Sequence, residues 1–526
     1  MTTTTQEKTV GHGYADESAP EVMPQPNNVE VRAIDIEEKT RGVEHDDAAE
    51  LFVGEGGVFE YTQEEAKRVL LKLDLILLPV MMISYLLSFI DKAALSNASI
   101  LGIRTDDHLV GQQYSWVSAI FYFGYLIAQY PSSVLMQKLP IGRYFGVMIV
   151  LWGLCSTLTA VTTNFATLAV ARFFLGCFET CITPVLTILV GQYWTRREQP
   201  LRACVWWMGA PIGGFIIDGL AYSITSPSWG GGKYTQWQVL YLIWGPLTMG
   251  WGVLLFFVLP AAPMRAWFLT ERERKVAVMR VISNHTGIEN RHYRVYQAKE
   301  CLRDVQAWAF FSLALLQCIV GSGLTNFDKI VLNGLGYDDH QSTKASFGGD
   351  GVQFASLLLA GAVTNFFRNA RLVTGIVSCT VVLIGSLLVY CLPTSNIHGR
   401  QGGLYIMFVN TVTYIMVMSL LSSNIGGFTK KATCAVMVFV GYAVGQIIAP
   451  QFFLAKESPT YPTGFRAFFV STALMIVIQA ALLVYLRWEN KRRDQLAAAL
   501  DHEEQADAAA FLDLTDKEQP GFRYIY

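Results

Sequence analysis

The chain has 526 residues, 52% of them apolar and only 16% charged, too apolar for an ordinary water-soluble protein of that length. Lys and Arg number 40 against 42 Asp and Glu, a formal net charge of −2. No overall basic field exists to attract nucleic acid, so no nucleic-acid partner is expected.

Residues 1–70 hold 16 acidic and 6 basic residues behind a Thr run; they cannot bury a core and are expected to form a disordered acidic tail. No cleavable signal peptide precedes the first apolar stretch, which must itself target the chain. A bilayer core about 30 Å thick needs roughly 20 apolar residues per helix. Twelve stretches meet that need: 73–94, 115–135, 144–163, 165–193, 203–225, 239–260, 308–332, 350–367, 371–392, 403–424, 431–455 and 465–488. The eighth carries Asp350 and several glycines. Runs this long and continuous exclude a sheet barrel, whose strands would alternate over about ten residues.

The segment 261–307 divides the spans six and six. Within it Thr270 and Glu273 have capping-box spacing ahead of Val276, Met279 and Ile282, which predicts a short amphipathic helix on the inner membrane face. The expected organisation is therefore a tail (1–70), a six-helix bundle (71–260), a cytoplasmic linker (261–307), a second six-helix bundle (308–490) and a charged, Ala-rich C-terminal tail (491–526), read as a short helix followed by a loose end. With the N-terminus inside, the inner connections hold Lys138 and Arg143, then Arg196, Arg197 and Arg202, then nine Lys and Arg in 261–307, then Arg368 and Lys430. The outer ones hold Arg104, Lys233, Lys344, Arg400 and Lys456. That asymmetry places both termini in the cytoplasm. An internal echo supports two related halves: Ser88-Phe89-Ile90-Asp91-Lys92 ends the first span and Thr325-Asn326-Phe327-Asp328-Lys329 ends the seventh. A two-fold pseudosymmetric carrier would bind its substrate near the midplane between such halves.

An ionisable side chain in mid-helix costs about 2.5 to 3.5 kcal/mol on insertion scales and so faces the protein interior or a wet cavity. Arg172 and Glu179, in the fourth span, lie on nearly the same helix face, about 10.5 Å apart along the axis. They are too distant to neutralise each other. Arg172, a third of the way in from outside, offers a planar fork for a carboxylate, and Glu179, deeper, suits a proton carrier. The structural alternative pairs Arg172 with Asp91 and hydrogen-bonds Glu179 to backbone or Tyr. Asp91, Lys92, Asp328 and Lys329 either bind substrate or snorkel to water from helix ends. Asp218, near Gly213 and Gly214, is a candidate cavity residue. Gln129, Gln317, Asn410, Asn424 and Gln446 line a cavity or join helices.

The nine cysteines are scattered singly, without a CxxC pair, and all but Cys301 fall in apolar stretches; they read as small apolar packers, neither disulfides nor zinc ligands. No GxxxxGK[ST], HExxH or GxSxG occurs, so neither an enzyme nor ATP-driven transport is indicated. A channel would need a filter-like loop, whereas a long two-halved chain favours alternating access.

Specific words then carry a resemblance: Phe89-Ile-Asp-Lys92 with Leu95-Ser-Asn97, Gln137-Lys-Leu-Pro140 with Gly142, and Arg172-Phe-Phe-Leu-Gly-Cys-Phe-Glu179 with Pro184. Further on stand Arg196-Arg-Glu-Gln-Pro-Leu-Arg202, Thr286-Gly-Ile-Glu-Asn-Arg291, Ser422-Ser-Asn-Ile425, Thr429-Lys-Lys-Ala432, Leu514-Thr-Asp-Lys517 and Phe522-Arg-Tyr524. From about residue 61 to 526 the chain resembles the fungal allantoate permease family, in the anion:cation symporter branch of the major facilitator superfamily. The resemblance implies an all-α integral membrane protein of twelve transmembrane helices in two six-helix pseudosymmetric bundles. It also implies proton-coupled uptake of a small carboxylate, such as allantoate, ureidosuccinate, nicotinate or pantothenate, across the fungal plasma membrane. Arg172 falls on the arginine such carriers use for substrate and Glu179 on the acidic position linked to proton coupling.

The chain departs from the family pattern at several places. Thr180-Cys181 stands where Ala-Gly is expected, Phe428 where His is usual, Asp328-Lys329 where small polar residues are commoner, and Gln137 and Asn365 at the Asp positions of the inner-loop motif. The expectation is a monomeric multi-pass carrier that needs no cofactor and draws its energy from the proton gradient. The vacuolar membrane is the other location considered. The alternative function is proton-coupled export of a fungal metabolite, because Gly209-Ala-Pro-Ile-Gly-Gly214 is one residue out of register with the Gly-Pro-x-x-Gly-Gly pattern of drug:proton antiporters. A non-transporting sensor would add a long folded cytoplasmic domain, which the tail does not resemble.

Overall fold

Each of the twelve apolar stretches is helical. The computed structural model describes residues 61–195, 198–225, 233–282, 294–367, 369–458, 460–498, 515–519 and 521–526, together with all their side chains except those of Gln137, Pro200, Ile282, Asn365, Phe428, Ala497 and Ala498. The acidic segment up to residue 60, Arg196, Arg197, Arg368, the 286–291 motif and residues 499–514 lie outside the described residues. Gln63–Tyr526 form one compact unit.

The spanning helices are α1 (Gln63–Ile100), α2 (Gln113–Lys138), α3 (Ile141–Thr159), α4 (Phe165–Glu179, resuming as Ile182–Tyr193), α5 (Gln199–Trp207 and Gly209–Ile224) and α6 (Gln236–Val258). After the linker come α7 (Val305–Gly334), α8 (Asp339–Phe366), α9 (Arg371–Cys391), α10 (Ile397–Met407 and Asn410–Asn424), α11 (Phe428–Ile448) and α12 (Pro462–Ala498). Ten of these rods are apolar enough to cross a membrane by length and composition. α2, diluted by Tyr, Ser and Gln, and α8, diluted by Asp and Gly, fall short of that hydropathy despite their length. No strand occurs among the described residues.

Local chemistry sets the helix starts. Asn164 accepts the Thr167 N–H at 3.0 Å, Asp304 accepts that of Gln306 at 3.0 Å, and Asp338 forms a capping box with Gln341, each satisfying a donor that the first turn leaves open. The Asp338 cap starts α8 eleven residues before the expected 350, and Lys344, expected in an outer loop, lies within the helix. α1 likewise runs past Asp91 and Lys92 to Ile100. The first charges mark a boundary in the sequence, but they have partners inside the protein, so nothing ends the helix there.

The packing repeats between the halves. α1 packs on α5, α3 on α6 and α2 on α4; six helices later α7 packs on α11, α9 on α12 and α8 on α10. Across the halves α2 meets α11 and α5 meets α8, two contacts that exchange under the same shift of six, while α1 meets α7. This is the two-fold pseudosymmetry expected of a two-bundle carrier. The α2/α4 contact is closed by glycine: a Cβ at Gly124 would overlap the Phe173 carbonyl and one at Gly176 the Phe121 carbonyl. Only bare backbones approach so closely.

The linker clamps both halves. Its predicted helix forms at Glu271–Ile282 with Thr270 and Glu273 capping each other, and Lys72 (2.6 Å) and Arg280 (2.7 Å) tie it to the first half through Glu273 and Glu198. The helix Val295–Leu302 binds the second half, Gln297 accepting the Thr429 N–H at 3.1 Å. The C-terminal segment, expected as a loose end, is docked instead. α12 continues through 491–498, and Asp516 and Tyr524 are buried against α10, α11 and α12. Lys430 Nζ, fully buried, meets Asp516 at 2.6 Å, Asp304 at 2.7 Å and Glu300 at 2.9 Å. Arg493 donates to the Asp516 carbonyl (2.8 Å) and the Tyr524 hydroxyl (2.9 Å).

Candidate substrate and proton site

Two neighbouring residues of α1 pair with two residues of α4 that are seven apart. Asp91 Oδ2 lies 3.8 Å from Arg172 Nη1 and its Oδ1 accepts from Ser156 at 2.6 Å. Lys92 Nζ lies 2.7 Å from Glu179 Oε1, which also accepts from Ser88 at 2.5 Å. Arg172 donates to the Tyr241 hydroxyl at 3.2 Å. The four charges sum to zero, which lowers the cost of burying them. The pairing is incomplete, however: Arg172 Nε and Glu179 Oε2 are buried without a hydrogen-bond partner among the described residues.

A cavity of about 20 Å³, room for about one water, opens onto this pair between the halves; Lys92, Arg172, Ser118, Tyr122, Thr325 and Asn326 line it. Next to it aromatic rings join the bundles. Tyr85 packs on Trp206 and Trp207 (4.8 Å each), Trp207 on Tyr414 (5.6 Å), Tyr414 on Tyr442 (5.9 Å) and Tyr442 on Tyr122 (6.1 Å). Flat rings in contact can separate and re-form as the halves move, without breaking directional bonds.

Asp218, Asp328 and Lys329 form a second cluster nearer the end opposite the linker. Lys329 Nζ reaches Asp218 across the halves at 2.8 Å and Asp328 at 2.9 Å. Asn97 donates to Asp218 at 2.9 Å and Ser96 to Asp328 at 2.6 Å. The structure thus divides the seven predicted residues into two groups: Lys92 and Arg172 line the cavity with Glu179 and Asp91 paired behind them, and Asp218, Asp328 and Lys329 lie at the interface. The snorkelling alternative fails for Asp91, Asp328 and Lys329, which are 4%, 7% and 3% exposed. The structural alternative for Arg172 is met as far as its Asp91 contact goes. Gln129 accepts from Thr180 at 2.6 Å and Asn424 donates to Ile525 at 2.8 Å, so both join structural elements. Gly209 and Gly213, from the exporter-like motif, sit against α1 at Met82 and Leu86 and account for close packing there.

Sequence reasoning passed over Ser88, Ser156, Tyr241 and the aromatic ring set. A Ser or Tyr in an apolar run carries no insertion penalty large enough to single it out. In the sequence Asp350 reads only as a flaw in the eighth span.

The family model described as Major Facilitator Superfamily matches residues 81–450. The chain belongs to the major facilitator superfamily. An uncharacterised transporter of Schizosaccharomyces pombe is 36% identical over 473 residues, covering 89% of this chain and 88% of that one. The allantoate permease of Saccharomyces cerevisiae is 33% identical over 491 residues, covering 91% and 90%. The resemblance to the fungal allantoate permeases read from the sequence therefore holds. Among solved structures, a D-xylose–proton symporter superposes with a TM-score of 0.58 at 10% identity, over 77% of this chain and 96% of that one, which establishes the shared fold. As a superfamily member the protein is a multi-pass membrane transporter of small molecules and not an enzyme.

Proposed function

We propose that this transporter takes up a small organic anion together with a proton, by alternating access. The observation that carries the reading is the Lys92–Glu179 pair, 2.7 Å apart at the edge of the cavity that Arg172 also lines. A proton on Glu179 removes the charge that holds Lys92 and leaves the four-residue site one positive charge in excess. A substrate carboxylate then restores neutrality, bound by the freed ammonium and the Arg172 fork. Proton and anion together, and neither alone, return the site to the neutral state in which burial is least costly. Closure needs such differential binding between the two facing states. In this reading the proton gradient is the energy source, no cofactor takes part, the carrier works as a monomer in the fungal plasma membrane, and both termini face the cytoplasm.

The test is a radiolabelled panel of allantoate, ureidosuccinate, nicotinate and pantothenate in a carrier-deficient yeast, in acidic and neutral medium, with and without a protonophore. Acid-stimulated, protonophore-sensitive accumulation of one anion is expected, with Arg172→Ala abolishing it while still reaching the membrane. Undiminished uptake by that variant would remove Arg172 from the site. No uptake by correctly located wild-type protein would favour export.

A further inference from the structure

The interface cluster holds more acid than its base can neutralise. Asp350 of α8 is 5% exposed and packs on the backbone of α5, where a Cβ at Gly214 would overlap both of its carboxyl oxygens. Gly214 lies one helical turn from Asp218 on the same face of α5. Along α8, Asp350 lies one turn from Ser346, whose hydroxyl is 3.5 Å from Asp328 Oδ2. Three carboxylates therefore share the neighbourhood of the Lys329 ammonium.

The donors are unevenly distributed. Both oxygens of Asp218 are bonded, by Asn97 (2.9 Å) and Lys329 (2.8 Å), and both of Asp328, by Ser96 (2.6 Å) and Lys329 (2.9 Å). Asp350 Oδ2 is buried with no hydrogen-bond partner among the described residues. An ionised carboxylate in that position would add negative charge to a cluster that already has an excess, without a donor to hold it, whereas a neutral carboxyl avoids most of that cost.

We infer that Asp350 is a proton-binding site of its own, at the seam between the halves and separate from Glu179. The charged and titratable groups facing it are Asp218 from α5 and Asp328 and Lys329 from α7. α10 presents Tyr405, packed at Gly348, and carries the buried Arg400, whose Nε donates to the Val389 carbonyl at 3.1 Å. α9 carries one charged residue, Arg371, which is bound to Ser419 O at 3.0 Å and Ser423 at 2.7 Å. The proton neutralises the carboxyl that lies against α5 while the halves are together. Separation of Asp218 from Lys329 exposes the carboxyl to water and lets the proton leave. The carrier thus has two proton sites, one beside the substrate cavity and one in the seam.

The experiment reads the protonated-carboxyl stretch in infrared spectra of the purified full-length transporter in neutral buffer, with ordinary and heavy-carbon-labelled aspartate. A label-sensitive band is expected in the wild type, lost in Asp350→Asn and retained in Glu179→Gln. Asp350→Glu should convert it to a label-insensitive band, so the assignment can still be tested if the Asn variant folds poorly. A wild type without a label-sensitive band would overturn the proposal. So would a band unchanged in Asp350→Asn, or one lost in Asp218→Asn instead.

Discussion

Lys92 and Glu179 meet at 2.7 Å with side chains 23% and 1% exposed, so removing one partner strands the other in the membrane interior. Lys92→Met is expected to cost about 3 to 5 kcal/mol, the range for breaking a buried pair from one side. The double variant Lys92→Met/Glu179→Gln should recover most of that loss, as melting of the purified proteins would show; equal and additive losses would mean that the two residues are not coupled. Glu179→Gln alone keeps an acceptor for Ser88 and should transport without acid stimulation, so uptake that still rises on acidification would exclude Glu179 as the coupling group. Arg172 and Glu179 are legible in the sequence because a charge within an apolar run is costly wherever it lies. Asp91 is legible as a partner of Arg172 for the same reason, but Tyr241 and Ser88 are not, because they are separated from Arg172 and Glu179 by 69 and 91 residues, and only packing selects those two from many Tyr and Ser.

The helices were readable from apolar length alone, yet the ends of α1 and α8 were not, since internal partners let a helix continue through charges. The docked C-terminal segment is the clearest case: its Asp516 and Tyr524 resemble solvated tail residues until Lys430 and Arg493 are placed beside them. Burial pushes the Asp304 carboxyl up, but the Lys430 charge and hydrogen bond, Lys517 and the Gln306 N–H outweigh it and hold the group below the usual carboxylate range. A carboxylate held low contributes stability above its unfolded pKa, and that stability is lost as pH falls through the folded value. Measured against the intrinsic amide rate at each pH, hydrogen-exchange protection of residues 515–526 should therefore be high at neutral pH and fall below about pH 4. Lys430→Met should exchange quickly at both, and slow exchange in that variant would show that the ion cluster does not hold the segment.

Between the two bundles, the contacts nearest the end opposite the linker are directional. They include Asp218 to Lys329, Ser96 to Asp328, the Tyr114 hydroxyl to the Asn326 carbonyl at 2.8 Å, and the Thr225 hydroxyl hydrogen-bonded with His340 Nδ1 at 3.2 Å. In the middle the contacts are aromatic and non-directional. That contrast makes the far end the latch and the middle the bearing, so weakening the latch should shift the balance of states. Spin labels at the exposed Val110 and Lys344 should show a longer distance component in Asp218→Asn than in wild type; identical distributions would mean that the pair does not bias the equilibrium. The two-bundle plan itself was foreshadowed by the Asp-Lys echo at 91–92 and 328–329. The echo did not reveal that the first pair turns into its own half while Lys329 reaches across to the other.

The buried lysine of α11 also bears on how the protein is made. Glu300 and Asp304 are synthesised before Lys430, so two of its three carboxylate partners already exist when that lysine is made. Asp516 follows 86 residues later, roughly 4 to 17 s at 5 to 20 residues per second. During that interval the carboxylates available to this cation are the earlier two alone. The second half reaches its final cohesion only when the segment beyond α12 has been translated and has folded back, so a ribosome that stalls within it would leave a carrier with every span in place and an unfinished seal.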